Sequence, residues 1–531
     1  MLWGRYDMAR TPLFRAFRRR WRAAAAAPDS GGLTRRSLLA NTARLGAAGV
    51  IAGPLAACAD PSRSSDPPVV IVGAGAAGLS AAYALGRAGT PAVIYEASGR
   101  IGGRIWTLNG FNADGQFVEM GAELVDTGHT ALRRLCRALD VGLQEFAVPA
   151  GDVASELFHI RGQIYTGAQF EQGLKPLLRA VARAQREIVG GGSKYTPITY
   201  ATPMNAAGYD NMTLAAFLER QTDVDPWVRE AVRIAYVGEM GAETEAQSAL
   251  NLIGLMDPST DSLYGDSDEA WRIAGGSSSM IQALHDAVVR QAGGNADTVL
   301  RLRHELVAIK DDGRQLTLTF RHDGRSVAVT AARMLLTLPF SVLRHVEGIA
   351  ALDLHPLKKR SIAAYGYGAN TKLMSDFSTR VWRTATNRLP AYDGFLLTDT
   401  GHQGFWETSR DQKGQHGILT NFLGGKAAAG FTAAHQAAPI GFLASLDPRL
   451  RSAFTGIQTF MNWDKYRFSR GAYSCPRPGQ YTGFLGIEAQ PELGGRLLFA
   501  GEHTSVAYSG FMNGAVESGL RAARQAQGRW A

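Results

Sequence analysis

Gly73-Ala74-Gly75-Ala76-Ala77-Gly78 stands between the apolar run Val69-Val70-Ile71-Val72 and an Ala/Leu-rich stretch that reaches Gly89, and Glu96 follows 18 residues after Gly78. These residue types in this order suit the binding of a dinucleotide. Gly73 permits a tight turn, Gly75 lets a pyrophosphate approach N–H groups at a helix N-terminus, and Gly78 lets the helix pack closely on the strand, with Ala77 as a small neighbour in the same turn. Glu96, closing the strand Ala92-Val93-Ile94-Tyr95, would accept hydrogen bonds from an adenosine ribose. Arg100-Ile101-Gly102-Gly103-Arg104 comes next, a second glycine pair whose flanking arginines could neutralise phosphate and for which a simple nicotinamide dehydrogenase has no need.

The elements that must position these residues are those of an α/β chain. The Val69–Val72 run, the following helix and the Ala92–Glu96 strand make a βαβ unit. From about 127 to 270 the pattern is helical, with segments near 130–140, 171–189, 213–222, 226–237 and 243–256, which reads as a helical insertion. Strands return over 298–330, where Leu316–Phe320 and Ser326–Thr330 are joined through His322-Asp323-Gly324, a hairpin signal. Another buried strand is expected at 333–339. Residues 350–462 mix strands, loops and short helices, and the chain closes with a strand at 496–501 and a helix from about 510 to 527.

Composition narrows the function classes. The chain has 531 residues, 45% hydrophobic and 19% charged, with a formal net charge of +9. That length suits two to four domains with ample core. Residues 1–59 contain ten Arg, no Lys and only two acids, which leaves the rest of the chain with 46 basic and 45 acidic residues. The folded body therefore has no electrostatic reason to hold nucleic acid. The basic leader reads as an address. Thr34-Arg35-Arg36-Ser37-Leu38-Leu39, the apolar stretch 45–57 and Leu55-Ala56-Ala57-Cys58 resemble a twin-arginine export signal ending in a lipobox, too short to span a bilayer. Two readings stay open at Cys58: lipid anchoring to the cell envelope, or ordinary cleavage at Ala57-Cys58-Ala59 and release to the periplasm. Residues 60–68 form a polar, Pro-rich linker. Cys136 and Cys475 offer neither a disulfide framework nor a metal site.

The string from Gly73 to Arg104 resembles the flavin-dependent amine oxidase family, in which FAD is laid across this segment. Ala500-Gly501-Glu502-His503-Thr504 and Tyr508 to Gly519 look like that family's closing flavin motif. By resemblance Glu502 lies near the FAD ribityl and pyrophosphate. Gly510, Phe511 and Met512 would open the last helix beneath the flavin, where N–H groups and the helix dipole favour negative charge on the reduced ring. Ala274 to Met280 is similar to the family's central segment, and Val307, after a strand at 299–306, matches a position whose backbone meets the adenine. The resemblance implies a Rossmann-like FAD-binding domain assembled from 69–126, 268–347 and 463–531, with a mixed-sheet and helical substrate domain from 127–267 and 348–462.

The same resemblance supplies the reacting site. Lys372, in Asn370-Thr371-Lys372-Leu373-Met374, matches the family's lysine that holds a water near flavin N5. Tyr473 and Phe511 would face each other before the flavin, with Trp463 ten residues before Tyr473, forming an apolar cage that favours a neutral amine. The implied reaction is oxidative deamination of a primary or secondary amine: hydride passes to N5, and water hydrolyses the imine to an aldehyde or ketone plus ammonia or a smaller amine. Dioxygen or a respiratory electron acceptor would reoxidise the flavin. Ala472 stands where monoamine oxidases have the cysteine that bonds the flavin, so FAD is expected to be dissociable. Leu124 stands where L-amino acid oxidases have the arginine that clamps the substrate carboxylate, with Glu123 and Asp126 nearby as candidates for holding a substrate ammonium. Three alternatives remain: an L-amino acid oxidase drawing on Arg380 or Arg467, a flavin electron-transfer or binding protein, and a flavin desaturase of isoprenoids.

Overall fold

All four residues of Val69–Val72 are buried, as a strand covered on both faces requires. In the computed structural model, which describes residues 67–147, 153–190, 197–258 and 267–529, this strand is the centre of a five-stranded parallel sheet. Its neighbours are Ala92–Tyr95 and then Leu300–Arg301 on one side, and Met334–Leu336 and then Leu497–Phe499 on the other. Alternate residues divide the strand between two layers. Val69 and Ile71 pack with the helix Ala76–Arg87 and the closing helix Met512–Ala526, whereas Val70 and Val72 pack towards Leu316, Leu318 and Phe320 of an antiparallel sheet. That second sheet comprises Glu305–Asp311, Leu316–His322 and Arg325–Ala331. Its expected hairpin turns on Asp323 and Gly324, at φ of +46° and +77°, the two successive positive values that a tight two-residue turn requires.

A seven-stranded sheet forms the other half of the molecule, in the order 454–462, 370–377, 417–424, 403–407, 396–398, 157–160 and 163–166. Its register sets the site. Lys372 pairs with Phe422, Asn370 with Gly424, Gly404 with Phe422, and Trp406 with Thr420, so Asn370, Lys372, Phe422, Thr420 and Trp406 share one face. The helix Pro226–Met240 packs against this sheet, beginning on Pro226 and ending at Gly241 with φ +64°.

Three local expectations are corrected. The stretch 127–270 is not purely helical: Leu157–Ile160 and Gln163–Thr166 form a hairpin on the edge of the seven-stranded sheet, through Arg161 and Gly162 at φ +54° and +73°. No single helix spans 243–256. Gln247 is extended between the short turns Thr244–Ala246 and Leu250–Ile253, and its side-chain amide donates to the carbonyls of Tyr236 and Ala242. Val307 lies inside the strand Glu305–Asp311, not after one. The export signal, with Cys58, and all but Pro67 and Pro68 of the linker lie outside the described residues.

Candidate active site

A cavity of about 710 Å³ lies between the parallel sheet and the seven-stranded sheet. At the parallel-sheet end the first glycines act as their types suggest. Gly73 has φ +108°, and a Cβ there would fall 2.4 Å from Thr337 Oγ1. A Cβ on Gly78 would fall 2.0 Å from the Gly73 carbonyl oxygen, so only glycine lets the helix approach the strand. A Cβ on Gly75 would meet nothing nearer than the Gly102 oxygen at 4.0 Å, and Gly75 lines the cavity. That open face is a cradle for a ligand backbone. Ala77 lines it too.

Glu96 closes the cradle. Its Oε2 accepts from Ala74 N at 2.8 Å and its Oε1 from Ser98 N at 2.8 Å, so the carboxylate is fixed with lone pairs left for ribose hydroxyls. The two arginines divide. Arg104 lines the cavity, ion-paired with Glu502 at 2.8 Å and donating to the Ala472 carbonyl at 2.7 Å. Arg100 is corrected from a phosphate partner to a brace: it donates to the carbonyls of Ile101, Gly103 and Ile105, and stacks on Trp106 at 4.5 Å. Val307 sits at a register break between Leu306 and Ala308, so a bulge turns it out of the ladder while it lines the cavity.

Glu502 ties four pieces of this end together. Besides Arg104 it accepts from Ser474 Oγ at 2.7 Å, Ser474 N at 3.3 Å and Gly510 N at 2.6 Å. The Gly510 N–H is thereby taken, which corrects the expectation that it faces a flavin. The closing helix begins at Met512, with Phe511 as its extended N-cap and the Phe511 N–H donating to the Tyr508 carbonyl at 3.2 Å, so its open N–H groups start at Met512. Gly501, at φ +125°, donates to Ser518 Oγ at 3.0 Å and lines the cavity. The Gly75 cradle, the fixed carboxylate, the bulge and the helix N-terminus together fit FAD.

The seven-stranded sheet supplies the other end. Lys372 Nζ donates to Glu123 Oε2 at 2.7 Å and to the Gly121 carbonyl at 3.1 Å, and sits 5.4 Å over the Trp406 ring. Glu123 Oε1 receives Thr408 Oγ1 at 3.5 Å, and Thr408 and Thr420 share a hydroxyl hydrogen bond. Glu123 is thus the partner of Lys372, which replaces the expectation that it holds a substrate ammonium. Tyr473 and Phe511 both line the cavity; the Tyr473 hydroxyl donates to the Gly238 carbonyl at 3.2 Å, and Phe511 meets His129 edge to face at 5.0 Å. Trp463 supports the floor. Its Nε1 donates to the Met120 carbonyl at 2.9 Å, and a Cβ on Gly121 would fall 2.9 Å from its ring.

Asp126 lines the cavity but is almost wholly buried, accepting from Ser267 Oγ at 2.8 Å and Glu269 N at 2.5 Å. Its N–H bonds His129 Nδ1 at 3.0 Å, which leaves His129 Nε2 facing Asp126 Oδ2 at 3.3 Å. Burial, reinforced by Asp268, pushes its carboxyl up to about 7. Its main work is to hold Glu269, whose φ of +39° is unusual for a non-glycine residue. Burial likewise pushes Glu119 up to about 7.

Among the cavity residues that escaped the sequence reading are Trp406 and Phe422. Both stand on strands buried on each face, where no alternation marks the inward side. The arginines weighed for a carboxylate clamp do not serve this end. Arg380 pairs with Glu407 at 2.9 Å and is not part of the cavity lining. Arg467 lines the cavity beside Glu305, its ion-pair partner at 2.5 Å, at the end where Val307 stands.

The family model described as flavin-containing amine oxidoreductase matches residues 76–527. The flavin-containing amine oxidase B of Homo sapiens is 24% identical over 484 residues, covering 86% of this chain and 85% of that one. The L-amino-acid oxidase of Pseudechis australis is 23% identical over 484 residues, covering 87% of each. Among solved structures, the cyclohexylamine oxidase of Brevibacterium oxydans IH-35A shares the fold, with a TM-score of 0.71 at 21% identity over 87% of this chain and 99% of that one.

Proposed function

Because the chain belongs to the flavin-containing amine oxidoreductases, and so acts on amines, we propose that it oxidises a primary or secondary amine whose α-carbon is held between Tyr473 and Phe511, with FAD bound non-covalently. The observation that carries this reading is the lining of the reacting end. Glu123, Asp126 and Glu269 line it, Leu124 stands at the clamp position, and among the lining arginines Arg104 is ion-paired with Glu502, and Arg321 and Arg467 with Glu305. A cavity so furnished receives an amine, and these three guanidinium groups are already engaged rather than free to clamp an α-carboxylate.

FAD, when bound, supplies the two-electron acceptor. The chain supplies the rest. Tyr473 and Phe511 exclude water and favour the uncharged amine, the form whose α-carbon can release hydride. An ammonium has three donors, and Glu123 and the Gly121 carbonyl engage two from Lys372, so the third is left to hold a water in the cavity. That water is placed to hydrolyse the imine. The Glu123 carboxylate stands behind Lys372 to take the proton released.

Dissociable FAD is supported by Ala472 on the lining and by the two described cysteines, Cys136 and Cys475, both buried and absent from it. Acid precipitation should leave all the FAD in the supernatant; yellow colour in the pellet would refute this. The substrate reading is tested by following flavin bleaching anaerobically with a panel of amines and L-amino acids. Bleaching by amines alone supports it, and faster bleaching by amino acids overturns it. Repeating the assay in air shows whether dioxygen accepts the electrons. We further infer from Arg35-Arg36 that the chain is exported already folded, with its FAD, to the periplasm or the cell envelope. Replacing both arginines by lysine should leave the enzyme inside the cell.

A further inference from the structure

At the dinucleotide end of the cavity two arginines from separate segments converge on one carboxylate oxygen. Arg467 Nη2 donates to Glu305 Oε2 at 2.5 Å, and Arg321 Nη2 donates to the same atom at 2.8 Å. All three residues line the cavity, yet their side chains are 59%, 54% and 28% exposed for Arg467, Arg321 and Glu305. Groups that face both cavity and solvent stand at its mouth. Glu305 and Arg321 are paired across neighbouring antiparallel strands, whereas Arg467 belongs to the loop 463–471, 162 residues from Glu305 in the chain. The bridge therefore joins two walls of the opening. Each wall is held without it. The strands keep their ladder, and the loop closes on the Trp463 carbonyl through the Tyr466 and Gly471 N–H groups at 3.3 and 3.2 Å. Ser341 Oγ anchors the loop further by donating to the Ser469 carbonyl at 2.6 Å. Only side chains need move to open the mouth.

The neighbours of the bridge say which part of a dinucleotide it stands over. The His304 N–H donates to the Glu96 carbonyl at 2.8 Å, which sets Glu305 one residue from a direct bond to Glu96, whose carboxylate is placed for the ribose. Val307, on the cavity lining, follows two residues after Glu305. We propose that Glu305, Arg321 and Arg467 form a side-chain latch over the adenosine half of FAD, one that must part between Arg467 and Glu305 before the cofactor can leave. This rests on the reading of FAD as dissociable. It assigns to these residues the rate of cofactor exchange, a property separate from the chemistry at the reacting end. An exposed ion pair is weak enough to part and reform by side-chain rotation, so the latch delays the cofactor without trapping it.

The test follows FAD release from the loaded enzyme after dilution, read as the rise in free flavin fluorescence. Glu305→Gln and Arg467→Gln should each release FAD about fivefold faster, the scale of one exposed ion pair with close geometry. Glu305→Gln is the discriminating variant. It makes the mouth more positive, so simple attraction for the diphosphate would slow release, whereas an unlatched mouth speeds it. Added NaCl screens an exposed ion pair, so it should speed release in the parent and do so less in Glu305→Gln, the reverse of what attraction alone would give. Glu305→Arg leaves three cations with no carboxylate between them and should also release FAD fast. Adding Arg467→Glu to it restores two cations on one carboxylate and should bring the rate back towards that of the parent. Apoprotein Tm and circular dichroism show that each variant folds. Release from Glu305→Gln that is unchanged or slower, or a double exchange that releases FAD as fast as Glu305→Arg alone, overturns the latch while leaving dissociable FAD standing. If acid precipitation leaves the flavin in the pellet, non-covalent binding itself falls, and this inference with it.

Discussion

Lys372 Nζ lies 2.7 Å from Glu123 Oε2, with side chains only 5% and 9% exposed, and the pair joins the seven-stranded sheet to the loop after Met120. Two charges this far from water stabilise one another only as a pair, and removing one partner costs about 3–5 kcal/mol because the other is stranded. Glu123→Leu and Lys372→Met are each expected to lower stability on that scale, and the double variant by less than their sum. Denaturant unfolding of the three proteins measures this coupling; strict additivity would show that the pair is not formed. Turnover separates the roles further. Lys372→Met, which loses the water-holding group, should lose about 10²–10⁴ in kcat.

Asp126 gives a pH dependence with a definite sign. Its carboxyl rises from 3.8 to about 7 on folding, chiefly through burial, next to Asp268 and facing Ser267, the Glu269 N–H and His129. The folded protein then holds a proton that the unfolded chain releases between those values, so the stability it contributes is complete below about 4 and is lost as pH rises through about 7. Asp126→Asn removes that proton from the balance. Between pH 5 and pH 8 the parent should lose Tm relative to Asp126→Asn. A Tm difference that is flat across this range would exclude a raised Asp126.

Gly75 and Gly78 stand three residues apart and should fail in different ways. A Cβ at Gly78 falls 2.0 Å from the backbone oxygen of Gly73, which cannot yield without parting helix from strand. Gly78→Ala should therefore destabilise the fold itself. At Gly75 the nearest atom would be 4.0 Å away and φ is −77°, so Gly75→Ala should fold. The added methyl projects into the cavity where a pyrophosphate would approach. Purified Gly75→Ala is expected to keep its circular dichroism and apoprotein Tm but to bind FAD at least tenfold more weakly, whereas Gly78→Ala loses both.

That contrast also explains what could be read from the chain. The glycines of 73–78, Glu96 and the Asp323-Gly324 turn act through backbone requirements within a few residues, so their types and spacing reveal them. Lys372 needed the resemblance of a longer motif. The Lys372–Glu123 pair spans 249 residues and exists only because one sheet meets one loop, so no local pattern encodes it. Trp406 and Phe422 lie on strands buried on both faces, where hydrophobic periodicity carries no direction. The hairpin at 157–166 was obscured for a related reason. Its turn is Arg161-Gly162, a weaker signal than Asn-Gly or Asp-Gly, and Leu157–Ile160 is apolar except for His159.

Glu502 makes the last prediction because its two oxygens meet only donors. Oε1 receives Arg104 and the Ser474 N–H, and Oε2 receives the Ser474 hydroxyl and the Gly510 N–H. Glutamine has the same shape but presents an NH2 on one side, so whichever way it turns, at least one N–H, that of Gly510 or those of Arg104 and Ser474, is met by another donor, since only the Ser474 hydroxyl can turn to accept. At 4% exposure no water relieves that clash, and hydrogen bonds to charged groups are each worth about 1.5–3 kcal/mol. Glu502→Gln should therefore lower Tm and loosen the closing helix at Gly510 and the loop at Ser474, both of which border the cavity. Weaker FAD retention through gel filtration is the expected consequence. Arg104→Met separates charge from geometry: it removes one donor and leaves the Ser474 and Gly510 contacts intact, so it should lose less Tm than Glu502→Gln. Equal losses in the two variants would mean that Glu502 acts only as the counter-charge of Arg104.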